Sequence, residues 1–230
     1  MLIHGLQKLT LLDFPTKVAA TVFFGGCNFR CPFCHNASLV THIDNGGTQT
    51  DEQVLSFLSK RKGLLDGVCV TGGEPLLQPE LPAFLRRIKE MGFAVKLDTN
   101  GSNPTALKAL VGEGLVDYVA MDIKNAPARY AETVGLPDFD TAPIAESVAF
   151  LLSDAVDYEF RTTVVKEFHR VEDIEAAARF IKGAKRYFLQ NFEDSGDLIK
   201  TGLSAVSPET MTQMQQVATP YIQYIGVRGL

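Results

Sequence analysis

Apolar residues fall into two kinds of block that alternate along this chain. Short continuous runs, rich in β-branched and aromatic side chains, occur at 18–24, 67–71, 93–97, 116–123, 158–165 and 187–192, and each has the length and composition of a buried strand. Between them apolar side chains recur three or four apart, the spacing of one helical face. The sets are Val54, Leu55, Phe57 and Leu58; Leu81, Phe84, Leu85 and Ile88; Leu107, Leu110 and Val111; Ile144, Val148, Leu151 and Leu152; and the segment 174–181. Thr50-Asp51-Glu52-Gln53 has the form of a capping box and opens a helix that should run to about Lys62. Asn103-Pro104 and Ser207-Pro208 read as two more helix starts, and Gly92, Gly112 and Gly114 as stops.

Three stretches lie outside this alternation. Residues 1–16 read as an irregular lead-in with a short apolar element from Leu9 to Leu12, and 42–48, with Gly46-Gly47, as a loop. Residues 125–140 carry Pro127 and Pro137 and suit either a lid over a site or an ordinary long connection. A last strand or sheet edge is expected at 221–227.

Six strand and helix pairs in strict order imply right-handed parallel crossovers, hence an α/β fold. No Gly-x-Gly-x-x-Gly or Walker loop follows the first strand, which argues against a nucleotide-binding open sheet. A complete eight-fold barrel typically needs about 250 residues. The 230 residues here fit a partial, open (β/α)6 TIM-like barrel better. We expect a single domain over 1–230, with a lead-in (1–16), a barrel core (17–192) and a C-terminal helix and strand (193–230).

Composition narrows the function. At 46% hydrophobic and 21% charged the chain is an ordinary globular one, and its net charge of −5 argues against a nucleic-acid partner. The compact basic run Lys60-Arg61-Lys62 falls at an expected helix end, where it would complement the helix dipole. No apolar run is long enough to span a membrane and no secretory signal is visible at the start, so a cytoplasmic, reducing location is expected.

Chemistry concentrates just after the strands, the edge on which barrels carry their sites. Three of the four cysteines, Cys27, Cys31 and Cys34, fall within eight residues. Disulfide pairing would leave one of this triplet over, and three inert packed thiols would be an odd coincidence at such spacing. A zinc site would need a fourth ligand such as His35 or Cys69, whereas a four-iron cluster can be held by three thiolates with one iron left open. Gly72-Gly73-Glu74-Pro75 follows the second strand, offering close backbone approach and one carboxylate. Asp98-Thr99-Asn100-Gly101 follows the third, and Met121-Asp122-Ile123-Lys124 the fourth; alone, each would suit a turn or an ion pair. His4, His42 and His169 lack ligand spacing and read as surface or internally satisfied, and Cys69 as packing.

The Cys-x3-Cys-x2-Cys loop, with Phe33 before its last cysteine, resembles that of the radical S-adenosylmethionine enzymes, which are built as partial barrels. That resemblance implies a [4Fe–4S] cluster on Cys27, Cys31 and Cys34 and S-adenosylmethionine on its open iron, with Gly72, Gly73 and Glu74 holding the amino group. Asp98, Thr99, Asp122 and Lys124 resemble the glycyl-radical-enzyme activases within that family, where the equivalents of the first three surround a monovalent cation. Arg161 matches a basic residue that contacts S-adenosylmethionine there, and a core-rim salt bridge is the alternative. The lead-in Lys8-Leu9-Thr10-Leu11-Leu12-Asp13-Phe14-Pro15, taken with the cysteine loop, resembles the longer activating proteins of anaerobic ribonucleoside-triphosphate reductase. It implies a glycyl radical enzyme as partner, anaerobic ribonucleotide reductase in particular, and a flavodoxin or ferredoxin as reductant. Gln190-Asn191-Phe192 stands where some activases carry a histidine, and no extra cysteine pairs follow the triplet. Two other readings stand beside this one: the same radical chemistry on a small molecule, and a non-catalytic iron–sulfur or zinc protein.

Overall fold

The parallel strands are apolar on both faces, and this property organises the two halves of the computed structural model, which describes residues 1, 3–41 and 48–229. His42 and the loop expected from it, Thr48 apart, lie outside the described residues. The chain divides into two compact units, Met1–Asn28 with Ser38–Thr99 and Asn103–Val119, and Phe29–Ala37 with Asn100–Ser102 and Ala120–Leu230.

In the first unit β1 (Ile3–Thr10), β2 (Ala19–Phe24), β3 (Gly67–Gly72) and β4 (Ala94–Thr99) lie side by side in that order. β1 is antiparallel to β2, and β2, β3 and β4 are parallel. The helices are the short α1 (Ser38–Thr41), then α2 (Asp51–Ser59), α3 (Leu81–Glu90) and α4 (Pro104–Gly112). Ala19, Ala20, Val22, Phe24, Val68, Val70, Val95 and Leu97 are all fully buried in the strands. Phe84 of α3 meets Phe24 edge-on with ring centroids 6.1 Å apart, seating the helix on β2. Thr50 and Gln53 make the expected capping box, and Asn103 caps α4.

Two expectations change here. Most of the lead-in, Ile3–Thr10, is a strand, residues 11–16 are irregular as expected, and Leu9, Leu11 and Leu12 are exposed. β1 is the edge strand beside β2, bridged beyond it only by Gln49 to Ile3 among the described residues, and shows exposed Gln7 and Lys8, so it lacks the apolar signature of its parallel neighbours. α2 stops at Ser59, with no basic residue in its last turn; Lys60 is its C-cap, and Arg61 lies over the Phe57 ring at 5.4 Å.

β5 (Tyr118–Asp122) begins in the first unit and ends in the second. The second unit then runs through α5 (Tyr130–Val134), α6 (Ala142–Leu152), β6 (Asp157–Val164), α7 (Val171–Phe180), β7 (Arg186–Asn191), α8 (Pro208–Ala218) and β8 (Tyr224–Arg228). β6, β7 and β8 are parallel neighbours, and Ser207 caps α8.

The 125–140 stretch is a packed connection rather than a lid. Tyr130 is fully buried and stacks on Phe139, and the buried Asn125 amide donates to the Thr133 hydroxyl and the Phe168 carbonyl. It also supports the cysteine loop: Phe29 meets Phe139 edge-on at 5.0 Å, and the Arg30 N–H donates to the Val134 carbonyl at 2.9 Å. Gly135 closes α5 in the left-handed conformation (φ 69°), and a Cβ there would overlap the Arg30 carbonyl oxygen. Replacing Gly135 by Ala should therefore cost about 1–3 kcal/mol in a urea denaturation. Gly112→Ala, at the end of α4 with nothing within reach of the new methyl, should be neutral or stabilising by up to about 1 kcal/mol.

Candidate active site

Three N–H groups hold the approach to Cys27. Beyond Phe24 at the end of β2, the Gly73 N–H donates to the Phe24 carbonyl and the Glu74 N–H to the Gly26 carbonyl, each at 2.8 Å. The Gly26 N–H donates to Leu39. A Cβ on Gly73 would fall on the Gly26 carbonyl, so the backbones approach as only glycine allows. Glu74 is fully buried. One of its carboxylate oxygens accepts the Leu76 N–H at 3.1 Å and the Thr99 hydroxyl at 2.8 Å, which ties the Gly-Gly-Glu turn to the end of β4. Asp98, on the other face of β4, is paired with the Lys96 ammonium. The first unit thus brings together Gly72, Gly73, Glu74 and Thr99, and gives Asp98 a buried cation that sequence reading missed.

The second unit carries Cys31, Phe33 and Cys34. The Cys34 N–H donates to the Cys31 carbonyl at 3.0 Å, and the Lys200 N–H to the Pro32 carbonyl at 2.9 Å. Phe33 is buried against Phe168, with the ring of His169 6.0 Å away. His169 donates from Nε2 to the Lys124 carbonyl at 2.8 Å and accepts the Val165 N–H on Nδ1. Burial lowers its pKa, so it is the neutral, internally satisfied histidine expected.

Lys124, Asp122 and Arg161 form one ion cluster. Asp122 accepts from the Lys124 ammonium at 2.9 Å and from Arg161 Nε at 3.1 Å. Burial works to raise its pKa, but the two cations prevail and hold the carboxyl at about 2. Lys124 is affected in the opposite sense: burial opposes its charge, yet Asp122 and then Cys31 raise its pKa. A permanent ammonium therefore lies within electrostatic reach of Cys31. Burial pushes the Cys34 thiol up, with Lys124 counteracting. Iron binding at Cys34 would have to displace a proton.

His35 adds a feature beyond its earlier reading as a zinc ligand. Its ring lies 5.5 Å from Phe192, and its Nε2 is buried with no hydrogen-bond partner among the described residues. All four cysteines are free of disulfides. Among the described residues, no group of three His, Cys, Asp or Glu side chains converges as a single metal ion requires. Cluster ligands need not converge in that way, because each thiolate binds a different iron.

Residues 21–181 match the Radical SAM superfamily, and the chain belongs to it. A protein of Methanocaldococcus jannaschii that bears the provisional name glycyl-radical enzyme activating enzyme is 32% identical over 100% of this chain and 96% of its own. A 7-carboxy-7-deazaguanine synthase of Methanopyrus kandleri is 30% identical over 69% of this chain and 71% of its own. The solved radical SAM methyltransferase from Sphaerobacter thermophilus, 16% identical, superposes with a TM-score of 0.75 over 96% of this chain and 68% of that one. The fold is accordingly α/β with a parallel-strand sheet that is not closed, as expected from the sequence. Membership implies a [4Fe–4S] cluster and S-adenosylmethionine. Thiols free of disulfides and the Lys124 charge acting on Cys31 fit such a cluster. No helix among the described residues is long and apolar enough to cross a membrane.

The ion cluster sets a pH dependence. The Asp122 pKa is depressed from the ordinary carboxyl range to about 2, so its stabilising share is complete above about pH 4 and is lost as pH falls towards 2. Asp122→Asn should be less stable than wild type near neutrality. The gap should close as denaturation is repeated from about pH 4 downwards.

Proposed function

We propose that the protein is a glycyl-radical-enzyme activase whose partner is anaerobic ribonucleotide reductase. The observation that carries this reading is the whole-length similarity to a relative named as an activating enzyme, with no large segment of either chain left over. The lead-in and the residues Asp98, Thr99, Asp122 and Lys124 support it by resemblance.

In this reading Cys27, Cys31 and Cys34 hold the cluster, and Phe33 fixes the loop between the last two through its packing on Phe168. When bound, the reduced cluster supplies one electron, taken from a flavodoxin or ferredoxin, that splits S-adenosylmethionine into methionine and a 5′-deoxyadenosyl radical able to take hydrogen from a partner's glycine. The Gly-Gly-Glu turn offers acceptors for an ammonium group, its backbone at Gly72 and Gly73 and the buried Glu74 carboxylate. Lys124, Arg161 and Asp122 offer charges suited to a carboxylate and hydroxyls. Asp98 is paired with Lys96, and Asp122 with Lys124 and Arg161, and a monovalent cation beside Asp98, Thr99 and Asp122, which the resemblance to the activases implies, belongs to this reading. It places the reaction in the cytoplasm, away from nucleic acid and membrane.

A second reading, radical chemistry on a small molecule, is favoured by the similarity to 7-carboxy-7-deazaguanine synthase. One experiment separates the two. The reconstituted protein, dithionite and S-adenosylmethionine are mixed without oxygen with purified anaerobic ribonucleotide reductase, and the partner is examined by electron paramagnetic resonance. A glycyl radical doublet that disappears when the partner's glycine is replaced by Ala is the expected result. S-adenosylmethionine turnover with no radical on the partner would favour the small-molecule reading.

A further inference from the structure

The basic run Lys60-Arg61-Lys62 lies past the last turn of α2, where only Lys60, the C-cap, is placed to complement the helix dipole. The chain turns there and presents Leu64, 65% exposed, before Leu65 goes inside. This loop is tied to the end of the lead-in: the Val18 N–H donates to the Asp66 carboxylate at 2.9 Å, and the Asp66 N–H to the Val18 carbonyl at 2.7 Å. The lead-in shows Leu9, Leu11 and Leu12, the last of them 91% exposed. Its loop is held in place. The Thr10 hydroxyl accepts the N–H groups of Leu12 and Asp13, Asp13 accepts the Thr21 hydroxyl, and Phe14 is buried against Tyr118. Single exposed leucines are ordinary, but four carried by two joined loops form a patch.

The same two loops, 8–17 and 60–66, carry five cations, Lys8, Lys17, Lys60, Arg61 and Lys62. Their two carboxylates, Asp13 and Asp66, are engaged in the loops' own hydrogen bonds. None of the five cations is in an ion pair among the described residues; Lys17 and Arg61 lie over the rings of Phe14 and Phe57. On a chain of net charge −5 this is a local excess of positive charge. Lys8 and Phe57, with Leu6 and Gln53, also line an open groove of about 390 Å³.

We propose that this face of the first unit is a docking surface for an acidic protein partner, the leucines supplying apolar contact and the cations the charge complementarity. A nucleic acid would use the cations but not four leucines, and a bilayer would use both but cannot enter the groove. A protein surface with acidic and apolar side chains uses all three. The face lies where Thr10 pairs with Ala19 at the start of β2, whereas Cys27 follows the far end of that six-residue strand, about 20 Å along it. Docking here holds the partner without touching the cysteine loop. The proposal rests on the activase reading above, which makes the partner a glycyl radical enzyme.

The test measures equilibrium binding of the anaerobically cluster-loaded protein to purified anaerobic ribonucleotide reductase at low and high salt, beside uncoupled 5′-deoxyadenosine formation without the reductase. Wild-type affinity is expected to fall as salt rises. Leu12→Asp, and Lys60→Glu, Arg61→Glu and Lys62→Glu combined, should each weaken binding about tenfold or more, and the charge variant should lose most of the salt response. Uncoupled cleavage should be unchanged in both. Should either variant lose that cleavage as well, Leu64→Asp or Lys17→Glu on the same face takes its place. Unchanged affinity in either kind of variant, or a wild-type affinity indifferent to salt, overturns the proposal. So does wild-type binding to phosphatidylglycerol vesicles or to duplex DNA that these substitutions abolish while binding to the reductase persists. A wild type that cleaves S-adenosylmethionine but binds no reductase overturns the activase reading, and this proposal with it.

Discussion

The hydrogen bond from the Glu74 N–H to the Gly26 carbonyl, 2.8 Å long, holds the residue before Cys27 to the residue that carries the buried carboxylate. It exists only because Gly73 has no side chain: a methyl there would occupy the position of that carbonyl. From this contact the rest of the first unit's site follows. The turn sets Glu74, Glu74 receives the Thr99 hydroxyl, and Thr99 fixes the end of β4 whose other face is held by Lys96 and Asp98. A loop of three cysteines has little apolar surface with which to hold itself, so its conformation must be imposed by neighbours. The second unit does the same for Phe29 to Cys34 through Phe139, Val134 and Lys200.

The charge acting on the cysteine loop in the second unit centres on Lys124. Lys124 has Asp122 on its ammonium, and Cys31 is close enough to add to the rise in its pKa. Its own backbone is held by Tyr130 and His169: the Tyr130 hydroxyl accepts the Lys124 N–H at 3.3 Å, and His169 donates to its carbonyl. A lysine fixed at both backbone and head group gives a charge of defined position, which is what recognition of a small anionic group requires. Neutral His169 adds no competing charge there.

Much of this was legible in the sequence, for identifiable reasons. Parallel strands buried on both faces read as apolar runs, so β2 to β7 were found within a few residues of their ends. Thr50, Asn103 and Ser207 gave the helix starts because each caps with its own side chain. Edge strand β1 was missed, since a sheet-edge strand with exposed Gln7, Lys8 and Leu9 has no such signature. Lys96 passed unnoticed inside an apolar run because its meaning depends on Asp98 and on Cys69 across the register, which periodicity does not show. The 125–140 stretch was ambiguous for a similar reason: its role in holding the cysteine loop is made by contacts more than a hundred residues away in the chain.

The central claim is that this chain holds a cluster on three cysteines and cleaves S-adenosylmethionine with it. The most direct measurement is 5′-deoxyadenosine formed by the anaerobically reconstituted, dithionite-reduced protein, beside Cys27→Ala, Cys31→Ala and Cys34→Ala variants. The account predicts product from wild type and none above background from any of the three. An iron-loaded wild type that makes no 5′-deoxyadenosine even with candidate partners present, or a variant that makes as much as wild type, would contradict it.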